Sequence, residues 1–307
     1  MSQTAASLRR QLALAGDLAT VVRTMKAMAA AGISQYEGAV QALDDYDRTV
    51  QLGLLACFRQ MPTMPTLGPS APRSRRAPAA VGALLFGSDQ GLVGQFNEQL
   101  VAFAQQTLQP LPGERRIWAV GERIQAQLAD SPLGVTASFP LPTALGSIAS
   151  LVSQVLLAVE ACRARQEIDA FYLFHNRPCS GELYQAVSQR LLPLDESWRR
   201  EIAARPWPSQ QLPEVLHGGE ATLLAFVSEY LFVSLFRACA ESLASENTCR
   251  LAAMQRAEKN IGERLDALAG DFHRLRQSAM DEELFDVVAG FTAGEGQEKQ
   301  AGGAGGG

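Results

Sequence analysis

One seam of mostly apolar side chains repeats every seven residues near the start of the chain: Leu8, Ala15, Val22, Ala29, Tyr36, Leu43, Val50 and Cys57. A second seam, offset by four, runs Leu12, Ala19, Lys26, Ile33, Val40, Asp47 and Leu54, broken only by Lys26 and Asp47. An apolar repeat of seven sustained this long marks a helix that buries one stripe against another helix. About fifty helical residues reach about 75 Å at 1.5 Å each. Several seam positions are alanine, so a partner helix can approach closely.

The partner is legible at the other end of the chain. One seam there is Met254, Ile261, Leu268 and Leu275, and the other is Leu251, Glu258, Leu265, Phe272 and Ala279. A helix over 221–289 would extend roughly 100 Å, whereas a compact domain of the size left between the two ends is roughly 40 Å across. The economical arrangement is a long antiparallel two-helix coiled coil built from the N- and C-terminal segments, projecting beyond a central α/β domain.

Between the helices the pattern changes. MPTMPTLGPSAPRSRRAP, residues 61–78, has five prolines and no periodicity, and reads as a linker. From 79 onward strands and helices alternate. VGALLFGS, RRIWAVG, GVTASF and IDAFYLFHN read as strands; GQFNEQLVAFAQQTL, GERIQAQLA and SIASLVSQVLLAVEACRA read as helices. ELYQAVSQRLLPL adds an edge strand. This alternation predicts a mixed α+β and α/β chain whose central, Rossmann-like domain carries a largely parallel sheet. The expected segments are a coiled-coil helix over 1–60, a linker over 61–78, the α/β domain over 79–216, a second coiled-coil helix over 217–291 and a disordered tail over 292–307.

Charge excludes one broad class. The net charge of −5 lacks the basic excess of a nucleic-acid binder. The deficit sits in 217–291, which carries twelve acids and seven basic side chains. Four of those acids, Asp281, Glu282, Glu283 and Asp286, crowd the last turns of the C-terminal helix, where a helix end already carries partial negative charge. Either that end is solvated, or its charges face something outside the chain. The five cysteines are scattered without a CxxC pair and read as free thiols of a reducing compartment. The three histidines have no ligand-like neighbours, which argues against zinc. No secretory h-region opens the chain, and the most apolar window, LLAFVSEYLFVSLF, is too short and too interrupted for a membrane span.

The most motif-like stretch of the central domain is GSDQGLVGQFN, residues 87–97, where a strand hands over to a helix. A phosphate loop there needs GxxxxGK[ST] and a dinucleotide fingerprint needs GxGxxG; neither is present. Asp89, Gly91 and Gly94 therefore read as a tight turn, with no cofactor. No GxSxG elbow, HExxH helix or DxDxDG loop occurs. Glu258 and Glu263 read as solvated helix-face charges. The residues alone leave three function classes open: a subunit of a larger machine, a free-standing coiled-coil scaffold or adaptor, and a small-molecule enzyme with a site near Asp89.

Three stretches resemble the gamma subunit of F-type ATP synthases. TVVRTMKAMAAAGIS is similar to the family's N-terminal signature, matching at Lys26, Ala27 and Met28. GSDQGLVGQFN resembles a family loop, matching at Ser88, Asp89, Gly91, Leu92, Gly94 and Asn97, with Gln90 and Val93 in place of the usual arginine and cysteine. The segment from Ser234 to Gly290 is similar to the family's long C-terminal helix; Glu241, Ser242, Ala244, Ser245, Glu246, Arg250, Met254, Asn260, Arg276, Gln277, Glu283 and Leu284 are among the matches. Together with LLPL at 191–194, the resemblance spans residues 5 to 291.

That resemblance implies a non-catalytic central-stalk rotor, turning inside a hexamer of alpha and beta subunits and standing on an epsilon subunit and a membrane ring of c subunits. It places the chain at the cytoplasmic face of a bacterial inner membrane, as a peripheral subunit with no span of its own. It also implies partner contacts to alpha or beta at Lys26, Met28, Arg250, Arg276, Gln277 and Asp281. For Lys26 a snorkelling seam lysine and a contact to beta both remain open, and for Arg276 a solvated guanidinium and a partner contact do. Asp281 stands where the family has a threonine, and Gly32-Ile33-Ser34-Gln35 replaces a basic cluster. These departures point to a divergent gamma with dedicated partners, of the kind found in a second ATPase set called N-ATPase.

Overall fold

The computed structural model describes residues 4–60, 80–211, 214–215 and 219–301, with side chains described as far as residue 288. The expected linker at 61–78 lies outside the described residues. Two compact units are present: Met1–Lys26 with Met254–Gly307, and Ala27–Ala253.

Helix α1 (Ala5–Gln60) and helix α6 (Gly219–Ala301) are the two long elements. In the first unit they run antiparallel: the Arg9 guanidinium stands 5.7 Å from the Phe272 ring centroid, and Lys26 meets Glu258. Leu8, Ala19, Val22, Met254 and Leu268, all seam residues, are buried there. Glu258 is thus not the solvated helix-face charge expected of it, because its seam position turns it toward α1. The low-complexity stretch from 292, expected without regular structure, begins inside the helix, whose backbone is helical to Ala301. Its Ala, Glu, Gln and Lys residues are good helix formers.

The second unit holds a five-stranded sheet in the order β3-β2-β1-β4-β5. Strands β1 (Val81–Phe86), β2 (Arg115–Val120), β3 (Ala137–Phe139) and β4 (Ala170–Cys179) are parallel; β5 (Glu182–Leu192) runs antiparallel to β4 as an edge. β1 is buried at every residue, as a continuous apolar run in a central parallel strand should be. Helices α2 (Phe96–Leu108) and α3 (Glu122–Ala129) pack on one face, over Ala83, Leu85, Ile117, Ala119 and Phe174. The other face, bearing Leu84, Phe86, Trp118, Phe171 and Leu173, is covered by α4 (Ile148–Ala164), α5 (Glu196–Ala203), the end of α1 and the start of α6.

Within this unit α1 and α6 again run antiparallel. Tyr46 donates to Glu229 at 2.7 Å and Arg237 pairs with Asp44 at 2.8 Å. A Cβ at Gly53 would stand 2.3 Å from the Phe226 ring, so glycine there lets the helices close.

Among the described residues, two helices, over Leu145–Ala164 and within Gly219–Val288, are long and apolar enough to cross a membrane by length and composition. The 223–236 window lies within the second of these, and a buried core helix has the same length and composition. In this structure the apolar residues have another use: Leu151, Val155 and Val159 of α4, and Leu223, Val227 and Leu235 of α6, are core.

Candidate functional site

The turn between β1 and α2 is held from several sides. The Ser88 N–H donates to Asn97 Oδ1 at 3.1 Å, Asn97 Nδ2 donates back to Ser88 Oγ at 2.9 Å, and the Ser88 carbonyl accepts from the Arg123 N–H at 2.9 Å. Asp89 accepts from the Glu122 N–H at 2.9 Å. Its carboxylate therefore caps the first turn of α3 from the β1–α2 turn, where the helix dipole favours negative charge. A Cβ at Gly87 would lie 2.3 Å from Ile124 Cβ, so glycine lets α3 close on the strand end. Gly94 adopts φ +64°, which glycine takes without strain, while Gly91 lies beside Arg123. Leu92 also has positive φ, +65°, and stands 59% exposed, while Val93 next to it is buried with Phe96 and Cys249 of α6.

In an open α/β sheet, ligands enter where strand order reverses, at the carboxyl ends of the strands on either side of the switch. Here that position lies between β1 and β4, and the chain's own helix α6 fills it. Ser242 Oγ donates to the Phe86 carbonyl at the end of β1, at 3.2 Å, and Ser245 Oγ donates to the Asn176 carbonyl of β4, at 3.1 Å. Asn176 Nδ2 donates to the Phe96 carbonyl at 3.0 Å, and His175 Nε2 lies 2.8 Å from Glu241 Oε2. All of these polar side chains are buried. The sequence reading matched Glu241, Ser242 and Ser245 to a family pattern but did not foresee these bonds. Their signal is visible in retrospect: polar residues at i, i+1 and i+4 interrupt an otherwise apolar stretch of α6.

The residues expected to meet partners divide into two groups. Lys26 Nζ is 2.7 Å from Glu258 Oε2, an ion pair within the coiled coil. Arg250 Nη2 is 2.6 Å from Glu246 Oε1 on its own helix, with both side chains largely buried. Within the chain its partner is thus an acid one turn away on α6. Burial pushes the Glu246 carboxyl up, Arg250 draws it back, and nearby Asp89 adds to the rise. By contrast Met28 is 70% exposed, and Arg276, Gln277 and Asp281 lie open on α6. Arg276 lines a cleft of about 550 Å³ with Arg9, Phe272, Leu275 and Glu282. Among the described residues no group of three or more His, Cys, Asp or Glu side chains is arranged to hold a metal.

The acidic stretch of α6 around Asp281–Asp286 is also apolar. Met280, Leu284, Phe285, Val287 and Val288 are exposed, Phe285 by 75%, and they alternate with the open carboxylates. On α1, Leu14, Leu18 and Val21 are likewise exposed. Exposed runs of large apolar side chains mark sites of protein or membrane interaction or of ligand binding.

Comparison with known proteins agrees with this arrangement. Residues 4–293 match the family model described as ATP synthase. An ATP synthase gamma chain of Moorella thermoacetica is 26% identical over 292 residues, covering 93% of this chain and 97% of the relative. One from Nitrosomonas eutropha is 28% identical over 232 residues, covering 71% and 76%. Among solved structures, a chain of the Euglena gracilis mitochondrial ATP synthase rotor aligns with a TM-score of 0.61 at 14% identity, covering 90% of this chain and 98% of that one. A chain of the Tetrahymena thermophila mitochondrial ATP synthase central stalk and c-ring structure aligns with a TM-score of 0.54 at 20% identity, covering 77% and 99%. With antiparallel terminal helices, a central sheet whose ligand crevice is closed by α6, and a family match across nearly the whole length, the chain belongs to the ATP synthase family as a gamma chain.

Proposed function

We propose that this gamma chain is the central-stalk rotor of a rotary ATP synthase, carrying no catalytic residue and coupling ion translocation in a membrane ring to ATP synthesis or hydrolysis in an alpha–beta hexamer. The observation that carries the reading is the uncovered apolar surface of the helix pair: Leu14, Leu18 and Val21 on α1, and Leu284, Phe285, Val287 and Val288 on α6. A lone two-helix coiled coil in water would turn polar side chains outward at these positions. A surrounding collar of subunits would cover them.

Rotary coupling requires that each orientation of the shaft stabilise different conformations of the surrounding subunits by differential contact. Met28, Arg276, Gln277 and Asp281 are the exposed candidates for that contact. The assembly would include alpha, beta and epsilon subunits and the c-ring, at the cytoplasmic face of a bacterial inner membrane. The open carboxylates Asp281, Glu282, Glu283 and Asp286 favour a collar that is less acidic than the family's usual one, as a divergent, N-ATPase-like set with dedicated partners would have.

Co-expression with the alpha and beta subunits of the same organism, followed by size-exclusion chromatography and an ATPase assay, tests the reading. One gamma chain eluting with three alpha–beta pairs and hydrolysing ATP supports it. Elution alone or as a homodimer against every alpha–beta set offered sinks it and favours a free-standing scaffold.

A further inference from the structure

The contacts between α6 and the sheet differ in kind. Around Glu241, Ser242 and Ser245, the buried apolar neighbours on α6 are Ala238, Cys239, Ala240, Leu243 and Ala244, all of them small but Leu243. Small side chains make a smooth helix surface with shallow ridges, and apolar contact is non-directional. Such a surface resists separation far better than it resists sliding or turning. Hydrogen bonds, in contrast, weaken steeply when their angle changes. The bonds from Ser242 and Ser245 end on main-chain carbonyls, those of Phe86 on β1 and Asn176 on β4, so they tie the helix to the backbone of two adjacent central strands. The His175–Glu241 contact adds a third link to β4, and Asn176 passes the connection on to the start of α2 through the Phe96 carbonyl.

We propose that Ser242 and Ser245, with Glu241, His175 and Asn176, form a torsional latch: positioning residues that fix the angle of the α/β domain about α6, so that torque on one is delivered to the other without slip. This assignment rests on the rotor reading above. It gives these buried polar groups a role that core stability does not require, since apolar residues would fill the same volume at lower desolvation cost.

Each lost bond, at about 1 kcal/mol, lets the latch open about fivefold more often. The test uses the whole complex, assembled from this chain and the other subunits of its organism in inverted membrane vesicles. ATP hydrolysis and ATP-driven ion pumping are measured side by side. The Ser242→Ala/Ser245→Ala chain should keep hydrolysis close to that of the parent while pumping per ATP falls severalfold. Ser242→Cys/Ser245→Cys, nearly isosteric but with weak donors, should fall in the same way, which separates lost hydrogen bonds from lost volume. If the alanine pair fails to assemble, Ser245→Ala alone is read by the same criterion. An unchanged ratio of pumping to hydrolysis in an assembled variant overturns the latch and leaves the rotor standing. A parent complex that hydrolyses ATP without pumping overturns both.

Discussion

Lys26 and Glu258, charges standing in otherwise apolar stretches of their seams, face each other across the coiled coil with Nζ and Oε2 2.7 Å apart. Alone, either would leave a charge against an apolar stripe; together they neutralise one another. Their side chains are 38% and 35% exposed, so the pair contributes only about 0.2–1 kcal/mol. Lys26→Leu or Glu258→Leu alone is expected to destabilise the chain mildly, and the double leucine variant to be neutral or more stable. A double-mutant cycle by denaturant unfolding checks this; a coupling of several kcal/mol would show a far drier pair than the one described here.

Gly87 is where β1 meets α3, and a methyl group there would press on Ile124 at its Cβ and Cγ2, atoms that cannot swing aside. Gly87→Ala should therefore cost about 1–3 kcal/mol through overpacking, read as a lowered unfolding midpoint. An unchanged midpoint would mean that α3 can withdraw freely from the strand end.

Gly16 presents the opposite case. It lies within α1, and nothing stands within 4 Å of where its Cβ would be. Gly16→Ala should gain about 1 kcal/mol from helix propensity alone, seen as a higher melting temperature of the same chain. A loss would reveal an unseen close neighbour at that position.

Asp195 caps α5, accepting from the Ser197 and Trp198 amides at 3.1 Å each and pairing with Arg190. The Ser197 hydroxyl hydrogen bond first, then the Trp198 amide and Arg190, hold its carboxyl down to about 2. Because the folded value is depressed, the stabilisation is present above the ordinary aspartate value, near 4, and is lost as pH falls from roughly 4 towards 2. Amide protection at Ser197 and Trp198, the slowing of exchange relative to an unstructured chain at the same pH, should fall across that window, and Asp195→Asn should abolish the pH dependence of the protection. Protection that stays constant down to pH 2 would contradict the cap.

Much of the fold was legible because its strongest signals are periodic. The seams from Leu8 and Met254 each put one face of a helix in the core, and the buried run of β1 carried its position in the sheet. Helix α5 was missed: ESWRREIA is a single short amphipathic stretch, and its start is marked only by the Asp195 cap. The pairing of Lys26 with Glu258 was hidden because a repeat fixes which face is inward but not which residue lies opposite. The Arg250–Glu246 pair was not foreseen, since a sequence cannot show that Glu246 one turn back is buried beside it. The α6 contacts to His175, Asn176 and Phe86 join residues far apart in sequence, so the spacing of Glu241, Ser242 and Ser245 marks a polar interruption but not the partners it meets.

The most direct test of the rotor assignment is to watch the chain turn. The alpha–beta hexamer assembled around this gamma chain is fixed to a surface, and a bead or fluorophore is attached to the exposed strand β5. On adding ATP, the probe should rotate in one direction, in steps, for as long as ATP lasts. A complex that hydrolyses ATP while the probe stays at a fixed angle would contradict the account.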